Sequence, residues 1–184
     1  CRRNWSDRRD RDYDDLLAPA EAAKPFVAFI DPDWSGFLNP PDMPAEIWRF
    51  CRETKQAAPD SSGAIVRCIL ESLALKYRLV LDQLKQLSPK SIRKIHVIGG
   101  GALNRLLCQF TSNATGLPVI AGPAEATAVG NIMVQALSAG YVKSLSDMRQ
   151  VVARSFKLQK YEPENVREWE MAYGRFREIC PRFK

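Results

Sequence analysis

The sequence is poor in the residues on which metal binding and nucleophilic catalysis most often depend. It has a single histidine, which excludes sites built from several histidines and gives no support to a Ser-His-Asp triad. Its five cysteines are far apart and form no CxxC pair; they are Cys1, Cys51, Cys68, Cys108 and Cys180. This spacing excludes a zinc ribbon and argues against a disulfide framework in a chain of 184 residues. We therefore predict no metal ligand within this chain.

Long apolar runs are also missing. No stretch reaches 18 consecutive apolar residues and no signal peptide opens the chain, so we expect a soluble, cytoplasmic protein without a membrane partner. Hydrophobic residues make up 46% of the sequence and charged residues 26%, which is typical of one domain with a buried core. The chain begins with cysteine in a charged stretch, CRRNWSDRRDRDYDD. We interpret this start either as a processing boundary or as the point where a longer protein is cut, and on either reading we expect an incomplete protein.

Positive charge exceeds negative charge, with 27 Lys and Arg against 21 Asp and Glu. Much of the excess lies between Lys76 and Lys94, in the predicted tail of a helix and the loop after it. A nucleic-acid surface needs a denser basic stripe with several aromatic side chains, whereas Tyr77 is the only aromatic residue here. We interpret the stretch as a solvated helix end and predict no nucleic-acid partner. An anion or nucleic-acid binder that uses this stretch remains an alternative.

Residues 1–60 form an irregular lead-in segment, which we assign to the same lobe as the rest of the chain. Seven of the twelve prolines lie between residues 19 and 59, and this density disfavours long regular elements. The run FVAF at residues 26–29 predicts a short strand, and a helix is expected from Ala45 to about Lys55.

A long helix over residues 61–87 is the strongest local prediction. Apolar side chains recur there at steps of three and four residues, and Ser88-Pro89 is expected to end the helix. Arg67 and Glu71 lie one turn apart, so we expect them to pair on the helix surface.

The second half of the sequence alternates between short apolar strands and helices. Strands are predicted at residues 95–99 and 117–121, and they should lie parallel because a helix separates them. The other predicted helices span residues 103–115, 124–139, 144–155 and 163–179.

Three consecutive glycines, Gly99, Gly100 and Gly101, end the first of these strands. Glycines let the backbone approach a ligand closely, and the helix that follows presents free N–H groups at its positive end. This arrangement suits a nucleotide, bound at its phosphate, ribose or base. The motif is not a dinucleotide-binding fingerprint, because no glycine stands at the third glycine position, and it lacks the GK[ST] ending of a Walker loop. The motif by itself therefore leaves nucleotide binding and a plain tight turn equally open.

The run GGGALNRLLCQFTSNATGLPVIAGPAEATAVGN resembles the C-terminal lobe of the FGGY carbohydrate kinases. That family continues with a G-P-x-E-A-T-A-x-G-N helix, which Gly122 to Asn131 match. Upstream, FIDPDWSGFLNPPDMPAEI and IVRCILESLALKYRLVLDQL are similar to the branch of the family that phosphorylates L-rhamnulose. The resemblance covers nearly the whole chain, and residues 92–140 are its most specific part.

The resemblance implies an α/β fold, the actin/hexokinase-like (ribonuclease H-like) C-terminal lobe, with a mixed sheet flanked by helices. Residues 61–184 would form the nucleotide-binding part, and residues 1–60 would belong to the same lobe. The N-terminal lobe, which holds the sugar and the general base in that family, would be absent from this chain.

The resemblance also assigns site residues by position. Gly100 matches the family glycine whose backbone lies against the adenine, and Gly99 and Gly101 would keep the turn open. Asn104 matches the position that can hydrogen-bond the base or the ribose, since an amide offers both a donor and an acceptor. The alternative is that Asn104 caps the backbone of its own helix.

The reaction implied is transfer of the ATP γ-phosphoryl group to a ketose hydroxyl, with Mg²⁺ bridging the phosphates. L-Rhamnulose is the sugar that the upstream segments favour. Kinases for fuculose, xylulose or ribulose remain alternatives, as does a non-catalytic nucleotide-binding or docking module. A lobe without its partner would also expose the face that the other lobe normally covers.

Six other polar residues receive structural interpretations. Glu125 would complement the dipole of the helix that it opens, and Gln109 would be packed within a helix. His96 is expected to be an ordinary strand histidine, and Asp31, Asp33 and Asp42 are expected to form turns. None of the six is assigned as the catalytic base.

Overall fold

Helices dominate the architecture, and one small sheet joins them. The computed structural model describes Cys1, Trp5 and residues 13–87 and 91–180. The described helices are α1 (Tyr13–Ala22), α2 (Met43–Glu53), α3 (Ser62–Leu87), α4 (Arg105–Thr115), α5 (Ala126–Ser138), α6 (Leu145–Ser155) and α7 (Val166–Ile179). The strands are β1 (Ile95–Val97), β2 (Val119–Ala121) and β3 (Gln159–Tyr161), and short 3₁₀ turns occupy Ser35–Phe37 and Gly99–Leu103.

The helices and strands predicted after residue 44 are confirmed, with their ends shifted by a few residues. Helix α4 ends at Gly116, which adopts the left-handed conformation (φ 66°) that glycine tolerates, and Ser144 caps α6 through the N–H of Asp147. Ser88-Pro89, which the sequence predicts to end α3, lie outside the described residues. Helix α1 and strand β3 were not predicted. The first contains Pro19, and the second is the polar run QKY, which is held by pairing with β2.

The strand predicted at residues 26–29 is wrong. Phe26 has a positive φ of 57°, which a strand does not allow, and its N–H donates to the Glu71 carboxylate at 3.0 Å. Both main-chain groups of Phe29 bond to the side-chain amide of Gln56, at 2.8 and 2.7 Å. Side chains thus satisfy the backbone here in place of a neighbouring strand. In the described part of the lead-in segment no strand is present.

The main hydrophobic core lies among α1, α3, α4 and α7, which we call the helical body. Its centre is fully buried, with Phe29, Leu75 and Phe176 each at 0% exposure. The Phe29 and Phe176 rings meet edge to face, with their centroids 6.2 Å apart. Helix α7 closes this core with Trp169 and Tyr173 on its inner face.

The sheet has the order β1-β2-β3 and is mixed, as the family resemblance implied. β1 and β2 are parallel, with His96 opposite Ile120, whereas β2 and β3 are antiparallel. Side chains alternate between the two faces of each strand. Val119 and Ala121 pack with Cys108 of α4, so His96 and Ile120 point to the opposite side. The two faces of the sheet therefore meet different helices.

Helices α5 and α6 form an arm beside that opposite face, which we call the α5–α6 arm. The buried residue of α5 is Met133, and that of α6 is Met148. Apolar side chains elsewhere on the arm are open to solvent, with Ile132 at 64% exposure, Val134 at 59% and Leu145 at 57%.

The pair Arg67–Glu71 forms as predicted, but it is not on the helix surface. The Arg67 Nε donates to Glu71 Oε1 at 2.7 Å, and the Glu71 side chain is only 1% exposed. Arg67 also donates to the carbonyl of Ala20, which ties α3 to α1. Burial raises the pKa of Glu71 to about 7, even though the Arg67 guanidinium and the Phe26 N–H both favour its charged form.

Lys76 likewise lies inside the molecule, which corrects the interpretation of the basic stretch. It is 7% exposed, and its Nζ lies 3.0 Å from Asp31 and 2.7 Å from Asp33. Burial lowers its pKa, but the hydrogen bonds to Asp33 and Asp31 outweigh that effect and leave the pKa raised. Asp31 also accepts the N–H of Asp33, as expected of a turn. Lys76 therefore stabilises the lead-in segment and is not available to a nucleic acid.

Candidate functional site

The triple-glycine turn directly follows β1 and leads into α4. Gly99 has a φ of 71°, in the left-handed region that favours glycine. A Cβ placed on Gly100 would meet no heavy atom within 4 Å, and Gly100 is exposed. A Cβ on Gly101 would lie 3.6 Å from the Val97 side chain, an ordinary contact. The turn thus offers open backbone at Gly100, where a flat ligand could approach it.

A second turn, after β2, meets the first one. The N–H of Gly99 donates to the carbonyl of Pro123 at 3.2 Å, and the N–H of Gly122 donates to the carbonyl of Val97 at 2.9 Å. Both turns therefore lie at the carboxyl ends of the two parallel strands. Helices α4 and α5 begin at this edge, so the positive ends of both helix dipoles are directed toward it. In α/β sheets this edge is the usual place for a ligand.

Asn104 has the capping geometry that the sequence left open as an alternative. It is 4% exposed, and its Oδ1 accepts the N–H of Leu107 at 3.0 Å as the N-cap of α4. Its own N–H donates to the carbonyl of Gly101 at 3.2 Å. Asn104 thereby fixes the triple-glycine turn to the start of the helix. Its contact with a nucleotide stays a prediction.

A cavity of about 790 Å³ lies between the sheet and the α5–α6 arm, and we call it the sheet–arm cavity. Its walls are mostly apolar and include Ile98, Ile120, Val129, Met133, Met148 and Leu158. Gly122 and Pro123 line its end next to the triple-glycine turn. Gly100 and Asn104 are not among its lining residues, so the predicted site and the sheet–arm cavity are neighbours, not one space.

Three basic side chains border the sheet–arm cavity: Lys94, His96 and Arg149. Burial, together with the nearby Lys94 charge, lowers the pKa of His96, so that histidine is neutral at pH 7. Lys94 and Arg149 then supply positive charge to an apolar hollow, a combination that suits an anion with an apolar body. Sequence reasoning did not bring these two cations together, because they are far apart in the chain and share no motif.

Two residues that the sequence treated as structural have different surroundings. Gln109 donates to Asn113 at 2.7 Å and to the carbonyl of Glu162 at 2.8 Å, which confirms that it is packed between α4 and the segment after β3. Glu125 is the N-cap residue of α5, but its side chain makes no capping hydrogen bond. Its contribution to α5 is therefore limited to its charge near the helix N-terminus.

The described residues give no direct site for a metal ion, because no three or more His, Cys, Asp or Glu side chains among them are grouped suitably. Within the same part of the chain, no helix combines the length and apolarity needed to cross a bilayer.

Residues 1–139 match the model of the FGGY family of carbohydrate kinases, C-terminal domain. The chain is 49% identical over 177 residues to a rhamnulokinase of Bacteroides thetaiotaomicron, covering 96% of this chain and 36% of that protein. It is 38% identical over 157 residues to a rhamnulokinase of Bacillus subtilis, covering 85% of this chain and 32% of that protein. The chain thus spans about a third of the length of these relatives.

Solved structures agree on the fold. A glycerol kinase of Plasmodium falciparum, crystallised with ADP, superposes with a TM-score of 0.66 at 16% identity and covers 94% of this chain and 34% of its own. A xylulose kinase of Rhodospirillum rubrum superposes with a TM-score of 0.52 at 20% identity and covers 69% of this chain and 27% of its own. The helix-rich architecture with its small mixed sheet is that of the actin/hexokinase-like C-terminal lobe. The chain belongs to the FGGY family of carbohydrate kinases, and its similarity is to their C-terminal domain.

Proposed function

We propose that this chain is the nucleotide-binding C-terminal lobe of an ATP-dependent sugar kinase, with residues 61–184 forming the nucleotide-binding part and residues 1–60 completing the lobe. The complete enzyme would transfer the γ-phosphoryl group of ATP to L-rhamnulose and give L-rhamnulose 1-phosphate. The choice of L-rhamnulose as the sugar is supported by the names of the two bacterial relatives, both of which are rhamnulokinases. The observation that best supports nucleotide binding is the open backbone at Gly100, which lies close to the N-termini of α4 and α5.

In this proposal the nucleotide base lies against the peptide planes of the triple-glycine turn. Gly100 gives the closest approach because no side chain intervenes, and the left-handed Gly99 sets the direction of the turn. Asn104 contributes at the rim of the site, by reaching the base or ribose or by holding the turn through its cap. Fixing the turn before the ligand arrives reduces the entropy lost on binding.

The rest of the chemistry is assigned to a lobe outside this chain. Mg²⁺ would bridge the phosphates and neutralise their charge. On the family resemblance, we assign the general base and the ketose site to the N-terminal lobe. Closure of the two lobes would exclude water from the transferred phosphoryl group. A cytoplasmic location is part of the same proposal.

The test is a calorimetric titration of the chain with ADP, before and after Gly100→Val. We expect the substitution to weaken binding by about tenfold or more, because the added methyl groups would occupy the space that the base needs. Gly174→Val is the matched control, since a Cβ at Gly174 also meets no atom within 4 Å but lies on α7, away from the turn. Asn104→Ala should weaken binding and also lower stability by about 1 kcal/mol through loss of the cap.

Two outcomes would redirect the proposal. If Gly100→Val binds ADP as the parent does, the nucleotide does not use the triple-glycine turn. If Met133→Trp abolishes binding instead, the nucleotide occupies the sheet–arm cavity, because Met133 lines that cavity and not the turn. A kinase assay with the missing lobe supplied would then compare L-rhamnulose with fuculose, xylulose and ribulose. A chain that binds ADP but supports no phosphoryl transfer to any of these sugars would be a non-catalytic module.

A further inference from the structure

The sheet–arm cavity is walled by the sheet and by helices α5 and α6, and no wall supplies a negative charge. Lys94, His96 and Ile98 follow one another at every second position of the segment that contains β1, so they share the face of the sheet that borders the cavity. The two helices contribute mainly apolar side chains. Among the described residues that line the cavity, none is Asp or Glu. An apolar interior is thus combined with charges of positive sign.

The two cations at the cavity have no acidic partner in the described part of the chain. Neither Lys94 nor Arg149 takes part in an ion pair there, and both side chains are exposed. Arg105, by contrast, holds the Glu21 carboxylate at 2.6 Å. The charges of Lys94 and Arg149 are therefore available to an anion that enters the cavity, and salt should screen their attraction for it.

A glycine inside α5 gives an independent indication of a ligand. Gly130 lies within Ala126–Ser138 and lines the cavity. Glycine in a helix interior is less favourable than alanine, because it loses more backbone entropy on folding. A Cβ placed on Gly130 would meet no heavy atom within 4 Å, so packing within the described chain does not require a glycine there. Helix α5 therefore keeps its backbone open at a point where a bound molecule would approach it.

The dimensions of the cavity indicate the size of the molecule that it can hold. From Lys94 to Ile98 the chain covers about 13 Å, at the usual rise of a strand. The volume of about 790 Å³ is in the range of pockets that hold small organic ligands. An extended alkyl chain of the length of decanoate matches this distance. A bare inorganic anion would leave the apolar walls uncovered.

We propose that the sheet–arm cavity is a second ligand site, which binds a carboxylate monoanion with an unbranched apolar body. The apolar body lies against Ile120, Val129 and Met133, and its removal from water provides most of the binding free energy. The carboxylate faces Lys94 and Arg149. The site is separate from the triple-glycine turn, which contributes no lining residue. The proposal goes beyond nucleotide binding and does not depend on it.

The test is a calorimetric titration of the chain with decanoate, in which we expect one molecule to bind per chain. Butyrate has the same carboxylate on a much shorter body and should bind at least about a hundredfold more weakly. Decylammonium has the same body with a positive charge and should bind at least about tenfold more weakly than decanoate. Added salt should weaken decanoate binding, because both cations are exposed. No binding of decanoate, or equal affinities for decanoate and decylammonium, would overturn the proposal.

Variants of the two cations test where the carboxylate lies. Lys94→Gln and Arg149→Gln should each weaken decanoate binding by about fivefold, since each removes one exposed charge. Arg154→Gln is the matched control, because Arg154 lies on the same helix as Arg149 but does not line the cavity. We expect this control to bind decanoate as the parent does. An equal loss in all three variants would show that decanoate responds only to the net charge of the chain, and the site would be wrong.

Variants that fill the cavity test where the apolar body lies. Gly130→Leu should weaken decanoate binding by about tenfold or more, and its melting temperature should not fall, because leucine favours a helix more than glycine does. Gly174→Leu is the control, since a Cβ on Gly174 also meets no heavy atom within 4 Å but lies on α7. Ile120→Trp fills the cavity from the sheet. If Gly130→Leu and Ile120→Trp both bind decanoate as the parent does, the proposal is overturned.

ADP distinguishes this site from the proposed nucleotide site. The titration with decanoate contains no nucleotide, so it succeeds or fails independently of the proposed function. Repeated with ADP present, it should give the same affinity for decanoate. Loss of decanoate binding at saturating ADP would mean that the two molecules compete for one cavity, which would overturn a second site.

Discussion

The helical body and the α5–α6 arm are both built from helices with apolar side chains, but they bury those side chains to very different extents. Phe29, Leu75 and Phe176 are completely enclosed in the body, whereas Ile132 and Val134 of the arm are more than half exposed. The apolar composition of a helix therefore does not decide its burial. What surrounds the helix decides it, and the arm has an apolar hollow on one side and solvent on the other.

Removing one aromatic ring from each region tests this difference in burial most directly. Phe176→Ala should lower the free energy of unfolding by about 3–5 kcal/mol, because it leaves a cavity in a closely packed core. Phe156→Ala, at the end of α6 where the ring is 37% exposed, should cost about 1 kcal/mol or less. Urea unfolding followed by circular dichroism measures both. Equal costs would mean that the arm is packed as firmly as the body.

A pH titration of stability tests the body in a second way. Burial raises the pKa of Glu71 to about 7 from an ordinary value of 4.5, so the folded chain holds this proton more tightly than the unfolded chain does. The stabilising effect of the protonated group is complete below pH 4.5 and is lost as the pH rises to about 7, by about 3 kcal/mol. Glu71→Gln should remove this part of the slope.

Glu178→Gln is the matched control for that titration, because Glu178 is an exposed carboxyl on α7 in the same helical body. The difference in unfolding free energy between the parent and each variant, measured from pH 4.5 to pH 8, isolates the contribution of one carboxyl. If the unfolding free energies of the parent and of Glu71→Gln change in parallel with pH, Glu71 is not the source of the pH dependence.

The smallest effect on stability is expected in the arm. Ile132→Ser and Val134→Ser should each change the free energy of unfolding by less than about 0.5 kcal/mol, because both side chains are mostly solvated. The same substitutions should reduce concentration-dependent self-association, which sedimentation velocity measures. A large loss of stability, with association unchanged, would show that the arm depends on these side chains in the folded chain itself.

Much of the fold could be predicted from sequence because its signals are local. The strand that ends in glycines, the helix ended by Gly116 and the cap at Ser144 each depend on residues within a few positions. The strand at residues 26–29 was wrong for the opposite reason. Gln56 satisfies the backbone of Phe29 from 27 positions away, and no local pattern reports such a contact.

The residues of the candidate site fall into the same two groups: some were recognised from local patterns, and others come together only through folding. The triple-glycine turn was found from its local pattern, whereas the role of Gly100 came from the family resemblance and stays a prediction. Asn104 was identified with two alternative roles, and its hydrogen bond to Leu107 corresponds to the capping one. Lys94 and Arg149 were missed, since only the folding of the arm against the sheet brings them to one cavity. Residues that are brought together only by tertiary packing form no local pattern by which a single sequence could reveal them.

Strand β1 lies at one edge of the described sheet. Within the described residues it pairs with β2 alone, through Ile95 and Val97, so the main-chain groups of His96 are directed to the other side. An edge of this kind can hydrogen-bond a strand that arrives on a separate polypeptide. The sheet can therefore be extended at β1 through main-chain groups alone, whatever side chains the added strand carries.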